Sequence, residues 1–192
     1  MKTFKQFISE MPRSVHTDPS DIDSKMLDDE DTKDPGRYDR DEVVGQHGNY
    51  NIHARSWKSE KTTDKHPPHM YIAQHDDTDL HHMTSRGGTT KDNYFIAYDT
   101  KKHPDYEMSA PDFYHEIIHA KVHAGIQSGE EQTEGGKSIW KRLHDNYPDV
   151  HVTHHDAETG KEIKLHTGDD WDKNYDQTTK THLRAKLKNG IN

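Results

Sequence analysis

The sequence predicts an α+β fold: a mixed, mostly antiparallel sheet with two main helices, preceded by a disordered acidic segment. Three observations carry that expectation. Short runs of alternating apolar and polar residues recur between 50 and 98, the pattern of half-buried strands. Between 109 and 153 the period switches from helix to strand and back, twice. The 192 residues are only 28% hydrophobic and 32% charged, so part of the chain lacks the apolar surface to fold. That deficit falls ahead of residue 46, where aspartates crowd around only a few scattered apolar residues such as Ile22, Met26 and Leu27. Segment 11–45 is therefore expected to be a flexible acidic linker and 46–168 the folded domain, with 169–192 a polar tail.

The elements follow in order. Residues 50–57 alternate and form one strand; 69–74, after the Pro67-Pro68 break, form a second. A weaker third covers 80–84 and is closed by Arg86-Gly87-Gly88, and 93–98 is the strongest strand of the chain. Ser109-Ala110-Pro111-Asp112 opens a helix, because serine caps free amides, proline needs no donor in the first turn, and aspartate suits the positive end of the dipole. Phe113, Ile117, Ala120 and Ala124 share its inner face, and Gly125 is the expected stop. A brief strand at 124–128 leads to a second helix with Gly135 and Gly136 near its start and Ile139, Trp140, Leu143 and Tyr147 inward. Asn146 and Pro148 end it, and 150–153 resumes as a strand that turns through Gly160 into 162–165. A short basic helix is expected at 182–188.

Composition excludes several functions. A net charge of −9 opposes nonspecific nucleic-acid binding, which needs a basic footprint, and no sequence-specific nucleic-acid motif is present. No apolar run reaches membrane-spanning length, so no membrane partner is expected. The absence of cysteine rules out disulfides and thiolate metal sites. Eighteen histidines make the charge pH-dependent near pH 6.

One motif carries chemistry by itself. His115-Glu116-Ile117-Ile118-His119 is an HExxH, in which His115 and His119, one turn apart, bind zinc while Glu116 polarises a metal-bound water. A chain this rich in histidine meets the pattern readily by chance. His115, His119 and His123 fall on the side away from Phe113 and Ile117, where a solvated face is expected. The extended pattern also fails, because Gly125 stands where a third histidine belongs. A glutamate from Glu130, Glu131 or Glu134 would have to complete such a site. A zinc-dependent hydrolase is accordingly kept as the alternative function.

Two stretches carry a resemblance. Ser128, Gln132, Thr133, Gly135, Gly136, Trp140 and Leu143, followed by Pro148-Asp149-Val150, match a Ser-x-x-x-Gln-[Ser/Thr]-x-Gly-Gly-x-x-x-Trp-x-x-Leu signature. The stretch resembles the C-terminal half of a GNAT acetyltransferase-type domain, in the diverged form found in large tailed phages. The resemblance implies a GNAT-like sheet, with Ser128, Gln132, Gly135 and Gly136 as candidate cofactor-binding residues and acetyl-coenzyme A as the family's cofactor. Active members bind its pyrophosphate on a glycine-rich loop opening the first helix. Here that loop reads His103-Pro104-Asp105-Tyr106-Glu107-Met108-Ser109-Ala110-Pro111, without glycine and with an acidic residue. No cofactor is therefore expected, and an active N-acetyltransferase is a further alternative.

The second stretch is Met1 to Glu10, MKTFKQFISE, amphipathic through Phe4, Phe7 and Ile8. It is similar to the capsid-targeting peptide of internal head proteins of large myoviruses, which a prohead protease removes after the glutamate of a Leu/Ile-x-Glu site. Ile8-Ser9-Glu10 matches that site. The resemblance implies cleavage after Glu10, the prohead scaffold and protease as partners, and residence inside the capsid. It further implies ejection with the genome into the host cytoplasm to act on a host protein.

Overall fold

The computed structural model describes residues 38–57, 69–76, 81–102, 107–129, 134–165 and 181–188. The expected targeting peptide, with Phe4, Phe7, Ile8 and Glu10, lies outside the described residues. Nine strands form one sheet: β1 (Tyr38–His47), β2 (Tyr50–Trp57), β3 (His69–His75), β4 (His81–Thr89), β5 (Tyr94–Lys102), β6 (Gly125–Gln127), β7 (Val150–Asp156), β8 (Glu162–Lys164) and β9 (Thr181–Leu187). Helix α1 (Ala110–His119) connects β5 to β6, and α2 (Glu134–Asn146) connects β6 to β7. The α+β class and the mostly antiparallel sheet are as the periodicity predicts.

The sheet order is β1-β2-β3-β4-β5-β6-β9-β7-β8. The first five strands form an antiparallel meander, so consecutive runs of alternation pair with their neighbours. Among the described strands only β5 and β6 are parallel, because a helix carries the chain back between them. The last strand, β9, enters between β6 and β7 and pairs antiparallel with both. Strand β6 meets β5 only at Tyr94, Phe95 and Ile96. Just beyond that contact the β4–β5 register shifts, Arg86 facing Asp99 and Gly87 facing Ala97. Tyr98 is the extra residue of this bulge and is exposed. Among the described residues the β5–β6 ladder ends at Ile96.

Alternation decides which side chains reach the helices. Ile52 and Ala54, Tyr71 and Ala73, Met83, Phe95, Val150 and Val152, and Leu183 and Ala185 share one core with Phe113 and Ile117 of α1 and Trp140 and Leu143 of α2. Met70 and Ile72, the alternate residues of β3, are buried as a separate pair.

Four expectations change. Strand β1 begins at Tyr38, inside the segment expected to be linker: its acidic residues suit an edge strand, where charge blocks further pairing. The tail expected as a basic helix is strand β9, well past residue 168, and it completes the middle of the sheet. The third strand does not stop at Arg86-Gly87-Gly88 but runs through it to Thr89. Helix α1 ends at His119, not at Gly125. Lys121 turns the chain at φ 54°, and Gly125 lies in β6, where a Cβ would sit 2.2 Å from the Ala185 carbonyl oxygen. That glycine serves close strand packing instead of a helix stop.

Candidate functional site

Helix α1 starts in a closed capping box. The Ser109 hydroxyl accepts from the Asp112 amide at 3.3 Å, while the Asp112 carboxylate accepts from the Ser109 amide at 3.0 Å and from the Ser109 hydroxyl. Pro111 contributes no amide donor. The Tyr147 hydroxyl donates to the other oxygen of the same carboxylate. Burial pushes the Asp112 carboxyl up, but the bonds from Ser109 and Tyr147 outweigh it and hold it below the ordinary carboxylate range. The helix start therefore already holds an anion of its own.

One turn further along, the cap has set the phase of the helix so that His115 and His119 face the turn between α2 and β7. The rings lie 4.4 Å apart, centroid to centroid. Both Nε2 atoms converge on one oxygen of Asp149, 3.1 Å from His115 and 2.6 Å from His119. That turn is fixed by its backbone: the Val150 amide donates to the Tyr147 carbonyl at 3.0 Å, and the Lys188 amide donates to the Asp149 carbonyl at 2.8 Å. The Tyr147 ring stacks on His115 at 4.3 Å. Burial pushes the Asp149 carboxyl up, but the two histidine contacts bring it below its usual value. Burial, the bond to Asp112 and the charges of Asp112, Glu116 and Asp149 all push the Tyr147 hydroxyl well above the ordinary tyrosine range, so it remains a neutral donor.

Glu116 has a different neighbour. Its carboxylate lies 3.1 Å from Nδ1 of His47, at the end of β1, and 4.0 Å from Nδ1 of His115. The two carboxylates thus address different nitrogens of the His115 ring: Asp149 meets Nε2 and Glu116 lies beyond Nδ1. Next to His47 and Asp112 opens a cavity of about 510 Å³, lined also by Tyr50, His75, Glu107 and Met108.

The structure sorts the expected site residues. His115 and His119 come together, and among the described residues Asp149 joins them. Glu130, Glu131 and Gln132 lie outside the described residues, and Glu134 opens α2. His123 is not on the solvated face: it is buried, stacked on Phe95 at 5.7 Å, with a ring nitrogen 3.2 Å from Asn93. Ser128 is buried and fully engaged with β9, its amide donating to the Leu183 carbonyl at 2.8 Å and its hydroxyl accepting from the Leu183 amide at 3.0 Å. Gly135 and Gly136 lie in the first turn of α2, and the Gly135 carbonyl accepts from the Ser138 hydroxyl at 2.7 Å. Ser128 therefore links the end of β6 to β9.

Compared with protein-family models, characterised proteins and solved structures, the chain gives no match. Among the described residues no helix is long and apolar enough to cross a membrane.

Proposed function

We propose that the chain is an internal head protein of a large tailed phage, carried into the prohead by residues 1–10 and built on a GNAT-like domain without a working coenzyme site. The observation that carries the domain reading is the order of elements from β5 onward. A long strand feeds a helix, a parallel strand, a second helix and then closing strands. That is the order the acetyltransferase resemblance implies. The self-capped start of α1 supports this reading, because Asp112 already puts a carboxylate at the helix N-terminus, which opposes a diphosphate there, and Pro111 offers no amide. The packaged location rests on the match of MKTFKQFISE to the targeting peptide and its cleavage site. Delivery with the genome to a host protein follows from that location.

The hydrolase alternative requires Glu116 beside a metal-bound water, whereas its carboxylate is engaged with His47. An active acetyltransferase would need an anion site at a helix start that already carries the Asp112 carboxylate. Mass spectrometry of purified virions tests the packaged reading. We expect a peptide that begins at Met11 and no peptide that spans Glu10–Met11. Virions that lack the protein, or that carry only chains still joined across that bond, would overturn the proposal.

A further inference from the structure

The geometry points to a transition-metal site formed by His115, His119 and Asp149, which fastens the end of α1 to the turn before β7. This inference is independent of the packaged location and of the coenzyme question. The two ring nitrogens and the carboxylate oxygen come from two parts of the chain, and all ligand atoms of the group lie within 4.8 Å of one another. An ion bound tetrahedrally at about 2.0–2.1 Å needs its ligand atoms roughly 3.3 Å apart. The His115–Asp149 separation of 3.1 Å nearly meets this, and His119, now at 2.6 Å, has only to draw back slightly. His119 is the last residue of α1 and its side chain is 42% exposed, leaving its ring room to move against the neighbouring His115 ring.

The surroundings suit a cation. Asp112, Glu116 and Asp149 all place negative charge around Tyr147, whose ring lies against His115. Stacking on Tyr147 fixes the plane of the His115 ring, and the backbone bonds at 147–150 and 149–188 fix the approach of Asp149. Two imidazoles and one carboxylate form a borderline donor set that selects zinc and its neighbours over magnesium or calcium. Three protein ligands leave at least one position for water. Glu116 contacts His47 through one oxygen and lies on the Nδ1 side of the His115 ring, away from the Nε2 that would bind the ion, so the proposed site is a clasp between α1 and the turn before β7.

Titration of the full chain with zinc, followed by calorimetry, tests the assignment. We expect one equivalent of zinc to bind more tightly than the rest, with a melting temperature raised by zinc. Loss of a metal's outer-shell partner typically weakens binding 10- to 100-fold, so loss of a ligand in Asp149→Asn or His119→Ala should weaken this equivalent at least about 100-fold. Neither variant should then gain melting temperature from zinc. With eighteen histidines in the chain, adventitious binding is the competing outcome, and His144→Ala serves as the control. Cobalt(II) supplies a second readout, giving the intense visible bands of a low-coordinate site in wild type and in His144→Ala but not in Asp149→Asn. Three outcomes would overturn the proposal: no tight equivalent, unchanged affinity in both ligand variants, or equal losses in His144→Ala. Far-ultraviolet circular dichroism confirms that each variant is folded, so a loss of zinc is not a loss of fold.

Discussion

Arg184 shows how single residues set the balance of this sheet. It lies in β9 at only 5% exposure, where an unpaired guanidinium would be costly. Its Nε donates to Gln127 at 2.7 Å, its two terminal nitrogens donate to Asp92, and its carbon lies 4.2 Å from the Tyr94 ring centre. Burial pushes the Asp92 carboxyl up, but bonds from Thr90 and Arg184 and the guanidinium charge bring it below its usual range. The sign of the pH dependence follows. A carboxyl whose folded pKa lies below its unfolded value of about 3.9 contributes stability above that pH, and loses it as pH falls through the folded value. Because the Asp92 side chain is about half exposed, solvent screens the pair, and Asp92→Asn should cost about 1 kcal/mol or less at pH 7. Urea unfolding between pH 7 and pH 2 should show the difference between wild type and variant shrinking below pH 4. A constant difference across that range would show that Asp92 acts through shape and not through charge. None of this was legible in the sequence, because Asp92 and Arg184 meet only when β9 inserts next to β6.

At the scale of elements, α1 was the most legible part and β9 the least. Ser109, Pro111 and Asp112 announced a helix start through local chemistry, and each takes the expected role. Strand β9 contains Leu, Arg, Ala and Lys, all good helix formers, which suggested a helix. Its order nevertheless alternates: Leu183 and Ala185 belong to the core, while His182, Arg184 and Lys186 take the alternate positions. Period outweighs propensity once a sheet offers a slot with neighbours on both sides. The histidine pair of the candidate site was legible too, but Asp149 was not, since only the packing of α2 brings that turn to α1. The same cap makes a prediction about ligands. Ser109→Ala should destabilise the fold by about 1 kcal/mol by removing the N-cap. Acetyl-coenzyme A should bind neither wild type nor this variant, because Asp112 keeps its carboxylate at the helix start and Pro111 still lacks a donor. Calorimetry that gives a micromolar dissociation constant for wild type would restore the transferase reading.

For the molecule as a whole, stability should follow position in the sheet. Strands β3, β4 and β5 have hydrogen-bonded neighbours on both sides, and side chains such as Tyr71, Met83 and Phe95 are buried against the helices. Opening β3, β4 or the 94–96 part of β5 exposes core and breaks two ladders at once, so those amides should exchange only through global unfolding, whereas among the described residues β5 from Ala97 onward has the β4 ladder alone. Strand β8 is the opposite case. It has three residues, sits at the edge beyond β7, and every one of its side chains is exposed. Its ties are the ladder to β7 and the contact of Glu162 with Lys186 at 2.8 Å, which solvent screens. Strand β1, at the other edge, is longer and linked to α1 through His47 and Glu116, so it should exchange at an intermediate rate. Hydrogen exchange followed by mass spectrometry should therefore rank protection with β3, β4, the 94–96 part of β5 and the inner faces of α1 and α2 highest, β1 intermediate and β8 lowest. Strand β9 makes the decisive comparison. As an inserted strand between β6 and β7 it should exchange as slowly as β7, whereas a peripheral tail would exchange as fast as β8. Fast exchange of 183–187 would show that β9 does not hold the β6 and β7 halves of the sheet together, and that the Arg184 cluster forms only transiently.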